Sequence, residues 1–266
     1  MLIRVFSIDD QRISIFRNLK DRELAAMGGL FIAEGEHVVR RLLASQHHTA
    51  ALLLAERRVQ EMSPLVPVHV PVYVVSDDLV HEIVGFKFHS GILAAGKRPP
   101  PTTIDHVLPR DLQHCTLVIL PEIATTDNLG SLIRISAGFG VDALILGERS
   151  CDPFFRQSIR VSMGTIFRLP IVQSRNLLQD MQRLKDEWNV QLAATVLDED
   201  AEPLAQATRT DKFALLFGNE AQGLDRAHVE RCDRRITIPM KLGTDSLNVS
   251  VAAGIFLYQF TQAATR

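Results

Sequence analysis

The chain has 266 residues, which is enough for one large domain or two ordinary ones. Apolar residues make up 46% and charged residues 23%, as is typical of a globular protein. No apolar run approaches the roughly 20 residues of a membrane span, and the N-terminus lacks the pattern of a signal peptide, so we expect a cytoplasmic protein without membrane contact. The formal net charge of −2 argues against a bulk nucleic-acid binder, and three scattered cysteines indicate neither a disulfide framework nor a zinc site.

Arginine side chains are concentrated in two stretches of this slightly acidic chain. Such clusters could neutralise phosphates locally, or they could be ordinary solvated arginines on helix faces, and the sequence leaves both interpretations open. The two stretches contain Arg149, Arg156, Arg160, Arg168 and Arg175, and Arg226, Arg231, Arg234 and Arg235.

The first half of the chain has the pattern of a small α/β domain over residues 1–97. An amphipathic helix is predicted over 12–24, where Ile15, Phe16 and Leu19 lie at helical spacing. Ser76 is a suitable N-cap for a helix that follows the last apolar run. Between them the pattern predicts strands at 31–33, 51–54 and 72–75 and a helix at 36–44.

Three consecutive prolines, Pro99 to Pro101, interrupt the chain. Such a run cannot continue a helix or a central strand, so we place a linker over 98–114. From 115 to 266, strand and helix signals alternate as in βαβ units, which predicts a mostly parallel sheet with helices on both faces. The predicted strands are at 117–120, 143–146, 192–197, 213–217 and 236–238, and the predicted helices at 128–139, 177–188 and 247–260.

Three strand ends in this second half carry polar residues that the fold does not require. In open parallel sheets, ligands bind beyond the carboxyl ends of the strands. The first such segment is 121–134, in which Asp127 or Asn128 could cap a helix and Gly130 would allow close approach of a ligand. Arg134 could reach back toward the helix start and hold a phosphate, although an ordinary cap followed by a solvent-exposed arginine fits the spacing equally well.

The other two segments follow later strands. The loop from Gly218 to Gly223 lacks the residues of a phosphate-binding P-loop and of a dinucleotide fingerprint, and a simple turn would not need the carboxylate of Glu220. In the segment 238–250, Ser246 is a suitable N-cap, but a well-capped helix alone does not account for Asn248.

The motifs of several common enzyme classes are absent from the sequence. There is no zinc-protease, nucleophile-elbow or paired-aspartate motif. His37, His47 and His48 have no metal-ligand partners at helical spacing, so we expect no bound metal. A site made of Asn, Arg, Glu, Ser and backbone groups can position and polarise a hydroxyl, but it has no strong nucleophile.

Together, the three segments resemble the three motifs of the SpoU (TrmH-like) branch of the SPOUT RNA methyltransferases. The matching patterns are Asn128-x-Gly130-x-x-x-Arg134, Gly218-Asn-Glu-x-x-Gly223-Leu and Ile238-Pro-Met…Ser246-Leu-Asn-Val-Ser250. The first half resembles the family's ribosomal-protein-like α/β/α substrate-binding domain through Phe31-Ile-Ala-Glu-Gly-Glu-His and His89-Ser-Gly-Ile-Leu-Ala. The resemblance therefore covers nearly the whole chain.

The resemblance implies a C-terminal domain with a deep trefoil knot, S-adenosylmethionine as cofactor, a homodimer, and methyl transfer to a ribose 2′-hydroxyl of RNA. The appended N-terminal domain favours 23S ribosomal RNA over transfer RNA. A non-catalytic RNA-binding protein that kept the fold is the alternative of another class, and the missing fingerprint disfavours a nucleotide-binding oxidoreductase. Ala221 stands where many relatives have a second glycine, which leaves the shape of that loop open. The implied cofactor pocket contains Leu216, Gly218, Asn219, Gly223, Ile238, Met240 and Leu247.

Arg134 matches the family's catalytic arginine. Because a free guanidinium has a pKa above about 12, it is a poor base. We therefore expect Arg134 to act together with an RNA phosphate, orienting the hydroxyl and stabilising the developing alkoxide. The residues expected to position Arg134 and the ribose are Asn128, Glu220, Ser246 and Asn248.

Overall fold

The computed structural model describes residues 1–17, 21–26, 29–84, 90–219, 222–241 and 246–262. The chain forms two compact units. Unit 1 comprises Met1–Pro100 and Pro153–Phe167, and unit 2 comprises Pro101–Asp152 and Arg168–Arg266.

Each unit is built on its own sheet. The strands of unit 1 are β1 (Leu2–Arg4), β2 (Leu30–Glu34), β3 (Thr49–Ala55), β4 (Val72–Val75) and β5 (Ile92–Lys97). The strands of unit 2 are β6 (Cys115–Leu120), β7 (Ala143–Leu146), β8 (Ile171–Gln173), β9 (Gln191–Thr195), β10 (Glu202–Pro203), β11 (Lys212–Leu216) and β12 (Arg234–Thr237).

Along the chain, the α-helices lie between these strands, except for α10, which follows β12. They are α1 (Asp21–Ala26), α2 (Glu36–Leu43), α3 (Val59–Met62), α4 (Asp77–Val84), α5 (Ile104–Val107), α6 (Thr126–Gly138), α7 (Arg156–Val161), α8 (Leu177–Trp188), α9 (Arg226–Arg231) and α10 (Val249–Gln262). Within the part of the chain that the structure describes, no helix is long and apolar enough to cross a membrane.

The sheet of unit 1 is mixed, with the order β1-β4-β3-β5-β2. Strands β1, β4 and β3 are parallel, whereas β5 is antiparallel to both β3 and β2. Leu52, Leu53 and Leu54 of the central strand β3 are all fully buried, because helices and loops cover both faces there. The predicted strands of this half, and the helix capped by Ser76, whose Oγ accepts from the Leu79 N–H at 3.2 Å, are confirmed.

The single helix predicted over 12–24 is wrong. The structure has a 3-10 helix over Gln11–Phe16, whose start is fixed by the Asp10 side chain accepting from the Arg12 N–H, and the separate helix α1. Ile13 and Phe16 are buried at a spacing of three residues, which suits the tighter 3-10 turn rather than an α-helix. Leu19 lies outside the described residues.

The segment 153–167 belongs to unit 1, although the chain on either side of it belongs to unit 2. The Arg156 guanidinium lies 2.7 Å from the Glu34 carboxylate, and the Arg156 N–H donates to Asp21 at 2.8 Å. The Phe154 ring packs against Phe31 with the ring centroids 5.3 Å apart. Helix α7 is thus held to strand β2 by both ionic and aromatic contacts.

The sheet of unit 2 has the order β10-β12-β9-β11-β6-β7-β8, and every neighbouring pair within the described residues is parallel. This confirms the predicted α/β architecture with a parallel sheet and a smaller N-terminal α/β unit. The trefoil knot stays a prediction.

The proline-rich stretch leads directly into the core of unit 2. Ile104 and Leu108 are each only 2% exposed and pack in a hydrophobic core with residues of the sheet and of helix α8. The buried Trp188 indole N–H donates to the Leu108 carbonyl at 3.0 Å, and the Arg110 guanidinium lies 3.9 Å from the Trp188 ring centroid. Residues 104–110 are therefore anchored to helix α8.

Candidate active site

The loops that carry the three polar segments meet at one edge of the parallel sheet. Because strands β6, β9, β11 and β12 are parallel neighbours, their carboxyl ends lie side by side. A cavity of about 480 Å³ lies at this edge. It is lined by Thr195, Val196, Leu197, Phe217, Gly218, Asn219, Gln222, Gly223, Leu224, Ile238, Met240, Ser246, Leu247, Val249, Ala252 and Phe256.

Most of the residues expected to hold the cofactor line this cavity. They are Gly218, Asn219, Gly223, Ile238, Met240 and Leu247. Leu216 does not line it and is fully buried in β11, where its carbonyl oxygen accepts a hydrogen bond from the Thr195 hydroxyl at 2.7 Å.

The loop 217–224 closes on itself in a narrow turn. The Asn219 N–H donates to the Gly223 carbonyl at 3.1 Å, and the Gly223 N–H donates back to the Asn219 carbonyl at 3.0 Å. A Cβ at Gly218 would collide with the backbone of Gly223 and Leu224, so only glycine fits there. Gly223 has a φ of +68°, the left-handed region that glycine tolerates best. Glu220 and Ala221 lie outside the described residues.

A hydrogen-bonded cluster joins the first and third polar segments. The Asn248 Nδ2 donates to the Asn128 Oδ1 at 3.0 Å, across 120 residues of chain. The Ser250 hydroxyl donates to the Asn248 Oδ1 at 2.6 Å, and its oxygen also lies 3.4 Å from the Asn128 Oδ1. We call Asn128, Asn248 and Ser250 the Asn–Asn–Ser cluster.

The helix caps explain why these side chains are available. Helix α6 is capped by Thr125, whose hydroxyl accepts from the Asn128 N–H at 3.4 Å, so neither Asp127 nor Asn128 is the cap. Helix α10 is capped by Asn248 rather than Ser246, since the Asn248 Oδ1 accepts from the Ser250 N–H at 2.9 Å and its carbonyl from the Ala252 N–H at 3.0 Å. Asn248 thus uses its oxygen for the cap and its amide hydrogens for Asn128.

Arg134 lies on the exposed surface of α6 and has no ion pair or hydrogen bond among the residues that the structure describes. It lies six residues beyond Asn128, which in an α-helix corresponds to about 9 Å along the axis and about 120° around it. Asn128 and Arg134 are therefore carried by the same helix but lie on different faces of it. Ser246 lines the cavity and precedes Asn248 by two residues in the sequence.

The two arginine-rich stretches are mostly paired with carboxylates. Arg234 forms a bidentate pair with Glu202, and Arg235 lies 2.6 Å from Asp198. Arg149, in the loop that follows β7, lies 2.9 Å from the Glu122 carboxylate. These contacts favour a structural role for them over the binding of phosphates.

Sequence reasoning missed one wall of the cavity. Thr195 ends strand β9, Val196 and Leu197 follow it, and Phe256 comes from the middle of α10. The first three lie within the strand predicted over 192–197, but the sequence does not reveal that this strand lies between β12 and β11. The contribution of Phe256 depends on how α10 packs, which a single sequence does not reveal.

Comparison with known proteins shows that the fold and the site are those of the RNA methyltransferases. A sequence profile of the SpoU rRNA Methylase family matches residues 116–258. An uncharacterized tRNA/rRNA methyltransferase of Mycobacterium tuberculosis is 36% identical over 96% of this chain and 90% of its own length. The chain therefore belongs to the SpoU rRNA methylase family, which confirms the resemblance drawn from the three motifs.

Two further comparisons agree with this membership. The 23S rRNA (guanosine-2′-O-)-methyltransferase RlmB of Acinetobacter baylyi is 30% identical over 85% of this chain and 94% of its own length. The crystal structure of an AdoMet-bound rRNA methyltransferase from Sinorhizobium meliloti superposes with a TM-score of 0.84, at 24% identity, and covers 97% of both chains. The fold of this solved structure extends over both units of the chain.

Proposed function

We propose that the chain transfers the methyl group of S-adenosylmethionine to a ribose 2′-hydroxyl of RNA, and that this RNA is 23S ribosomal RNA. The observation that carries the proposal is the Asn–Asn–Ser cluster, because it joins two of the three family motifs beside the cavity. The similarity to RlmB, whose name specifies guanosine 2′-O-methylation of 23S rRNA, supports the substrate class. Such a substrate would place the protein in the cytoplasm.

The cavity fits S-adenosylmethionine in size and in chemistry. Its volume of about 480 Å³ lies within the usual range for small-molecule sites. Ile238, Met240 and Leu247 would provide apolar surface, and the backbone of Gly218 and Asn219 would provide polar groups. Bound there, the cofactor supplies a methyl group already activated by its sulfonium, so the protein needs no nucleophile of its own.

In this proposal Arg134 is the catalytic residue that meets the reacting hydroxyl. Its exposed guanidinium, without an ion pair among the described residues, would be available to an RNA phosphate. Since a free guanidinium is a poor base, it would orient the 2′-hydroxyl and stabilise the developing alkoxide, while the phosphate helps to accept the proton. Asn128, Asn248, Ser246 and Glu220 would position these groups.

A homodimer is part of the proposal. Val251, Ile255 and Tyr258 of α10 are spaced by four and three residues and are 52%, 41% and 62% exposed. Apolar side chains at this spacing form one stripe along a helix, and a stripe left exposed to water favours association. The isologous partner that the family resemblance implies is a second copy of this chain.

We further propose that residues 1–97 bind the RNA substrate and that 115–266 carry out methyl transfer. The segment 98–114, of which residues 104–110 pack into unit 2, would connect the two domains. The family match to residues 116–258 supports the assignment of methyl transfer. The separate sheet of unit 1 and the resemblance of its motifs to a ribosomal-protein-like domain support the assignment of RNA binding.

Replacing Arg134 tests the chemistry. Arg134→Ala should lower kcat by at least about 100-fold, the usual loss when one donor to a developing oxyanion is removed. Its Kd for S-adenosylmethionine, measured by calorimetry, should stay within about threefold of the wild type. Arg168→Ala, at an exposed arginine before β8, is the matched control and should change neither value.

Two results would contradict this role. One is loss of cofactor binding in Arg134→Ala, which would make Arg134 a binding residue. The other is full transfer activity in the same variant, which would remove it from the reaction.

A further inference from the structure

The loops that follow β6 and β7 are joined into one rigid piece of unit 2. The Gly147 N–H and the Ser150 hydroxyl both donate to the Leu120 carbonyl, at 2.9 and 3.2 Å. The Ser150 Oγ also accepts from the Ile123 N–H at 3.2 Å, and the Cys151 N–H donates to the Ile123 carbonyl at 2.8 Å. Because these hydrogen bonds lie within so short a stretch, they keep the two loops from moving separately.

The Arg149 side chain extends from this rigid piece to two carboxylates. Its Nη2 lies 2.9 Å from the Glu122 carboxylate and 3.6 Å from the Asp225 carboxylate. Glu122 belongs to the loop that leads into α6 and Asn128, whereas Asp225 directly follows the cofactor loop 217–224. One guanidinium therefore bridges two of the three loops that meet at the site.

Asp225 is itself firmly held. Its Oδ1 accepts from the His228 N–H at 3.0 Å, which caps α9, and lies 2.6 Å from the His228 Nδ1. Burial raises the pKa of the Asp225 carboxyl. The hydrogen bonds from His228 and the positive charge of nearby Arg149 more than offset this, so the pKa of Asp225 lies below its ordinary value. Asp225 is thus a negatively charged partner for Arg149 whose position is held by His228.

We propose that Arg149 is a positioning residue for methyl transfer, holding the end of the cofactor loop in register with the start of α6. The inference rests on the proposed function of this site. Arg149 is 66% exposed, but with two carboxylates beside it its charge is already compensated, so an RNA phosphate is a poorer partner than Glu122 and Asp225. Its effect reaches the reaction through the loops.

The test replaces Arg149 with Met, which keeps an unbranched apolar side chain but removes the guanidinium and its charge. Arg149→Met should weaken binding of S-adenosylmethionine about three- to fivefold, the upper end of what an exposed ion pair contributes. It should lower kcat further, while the KM for RNA and its dependence on salt stay unchanged. Arg149→Lys should recover most of the loss. Arg226→Met, at a 90% exposed arginine paired only with Glu230 among the described residues, is the control.

A second background makes the result decisive. Asparagine caps helices as well as aspartate does, so Asp225→Asn should keep α9 while removing the negative charge. In that background, Arg149→Met should have little further effect on cofactor binding. Thermal unfolding of each variant separates loss of folding from loss of positioning, and Glu122→Gln offers a milder break of the same bridge if Arg149→Met does not fold.

Three outcomes would overturn the inference. In the first, Arg149→Met binds the cofactor and turns over like the wild type. In the second, cofactor binding is unchanged but RNA affinity falls and becomes less dependent on salt, which would make Arg149 a phosphate ligand. In the third, the loss is equally large in the Asp225→Asn background. Absence of methyl transfer by the wild type would instead refute the proposed function, and calorimetry with the cofactor still tests the bridge.

Discussion

The bond between Asn248 and Asn128 can be broken without uncapping helix α10. Asn248→Ser keeps a good N-cap, since serine and asparagine cap equally well, but the serine side chain is too short to reach the Asn128 Oδ1. Asn248→Ala removes both the cap and the bond. Comparing the two variants therefore isolates the contribution of the link between the two motif segments.

The expected magnitude follows from the hydrogen bonds that each variant removes. One hydrogen bond between neutral groups contributes about 1 kcal/mol, so Asn248→Ser should destabilise unit 2 by about that amount. If the bond holds Asn128 in its working position, a similar loss in the transition state lowers kcat about fivefold. Asn248→Ala should lose about 1 kcal/mol more, because the cap of α10 is removed as well.

Chemical denaturation and single-turnover methyl transfer measure the two effects. The S-adenosylmethionine Kd of Asn248→Ser should remain within about threefold of the wild type, because Asn248 does not line the cavity. Wild-type kcat in Asn248→Ser, together with reduced kcat in Asn248→Ala, would show that only the cap matters. That result would refute a positioning role for the cluster.

Other parts of the chain lead to three more predictions. Gly218→Ala should weaken cofactor binding at least about tenfold by calorimetry, because a Cβ there collides with the opposite side of the loop, whereas Gly254→Ala, with no atom within 4 Å of the added Cβ, should leave it unchanged. Tyr258→Asp places a charge on the apolar stripe of α10 and should convert the proposed dimer to a monomer in light scattering; a dimer mass that stays unchanged would exclude this face as the interface. Trp188→Phe removes the hydrogen bond to Leu108 and part of a fully packed ring, so its free energy of unfolding should fall by about 2 kcal/mol, and no change would mean that residues 104–110 are not anchored there.

Much of the fold could be predicted because local signals agreed with tertiary packing. Helix α8 has the predicted bounds, since Asn176 caps its start by accepting from the Gln179 N–H and Asn189 ends it in the left-handed conformation. The strands β6 and β7, which are apolar except for Thr116, are buried along their whole length, as a central parallel strand must be.

The parts that could not be predicted depend on contacts between distant residues. Helix α7 was missed because this short segment is stabilised by Glu34 and Phe31 of the distant strand β2 rather than by its own periodicity. Strand β8, three residues long at the sheet edge, has too little pattern to detect.

The sequence suggested candidate site residues but not the contacts between them. The motif order brought Asn128 and Asn248 into consideration, yet their hydrogen bond spans 120 residues and depends on which side chain caps each helix. Sequence alone favoured Ser246 as the cap of α10, because serine is a common cap. Asn248 takes that position because it can bond to both Ser250 and Asn128.

Transfer of a labelled methyl group to unmodified ribosomal and transfer RNA, followed by mapping of the modified nucleotide, tests the central claim most directly. The account predicts label from S-adenosylmethionine on a ribose 2′-oxygen of 23S ribosomal RNA, and none with Arg134→Ala. Label on transfer RNA alone would change the substrate, label on a base would contradict the chemistry, and tight RNA binding without any transfer would identify a non-catalytic RNA-binding protein.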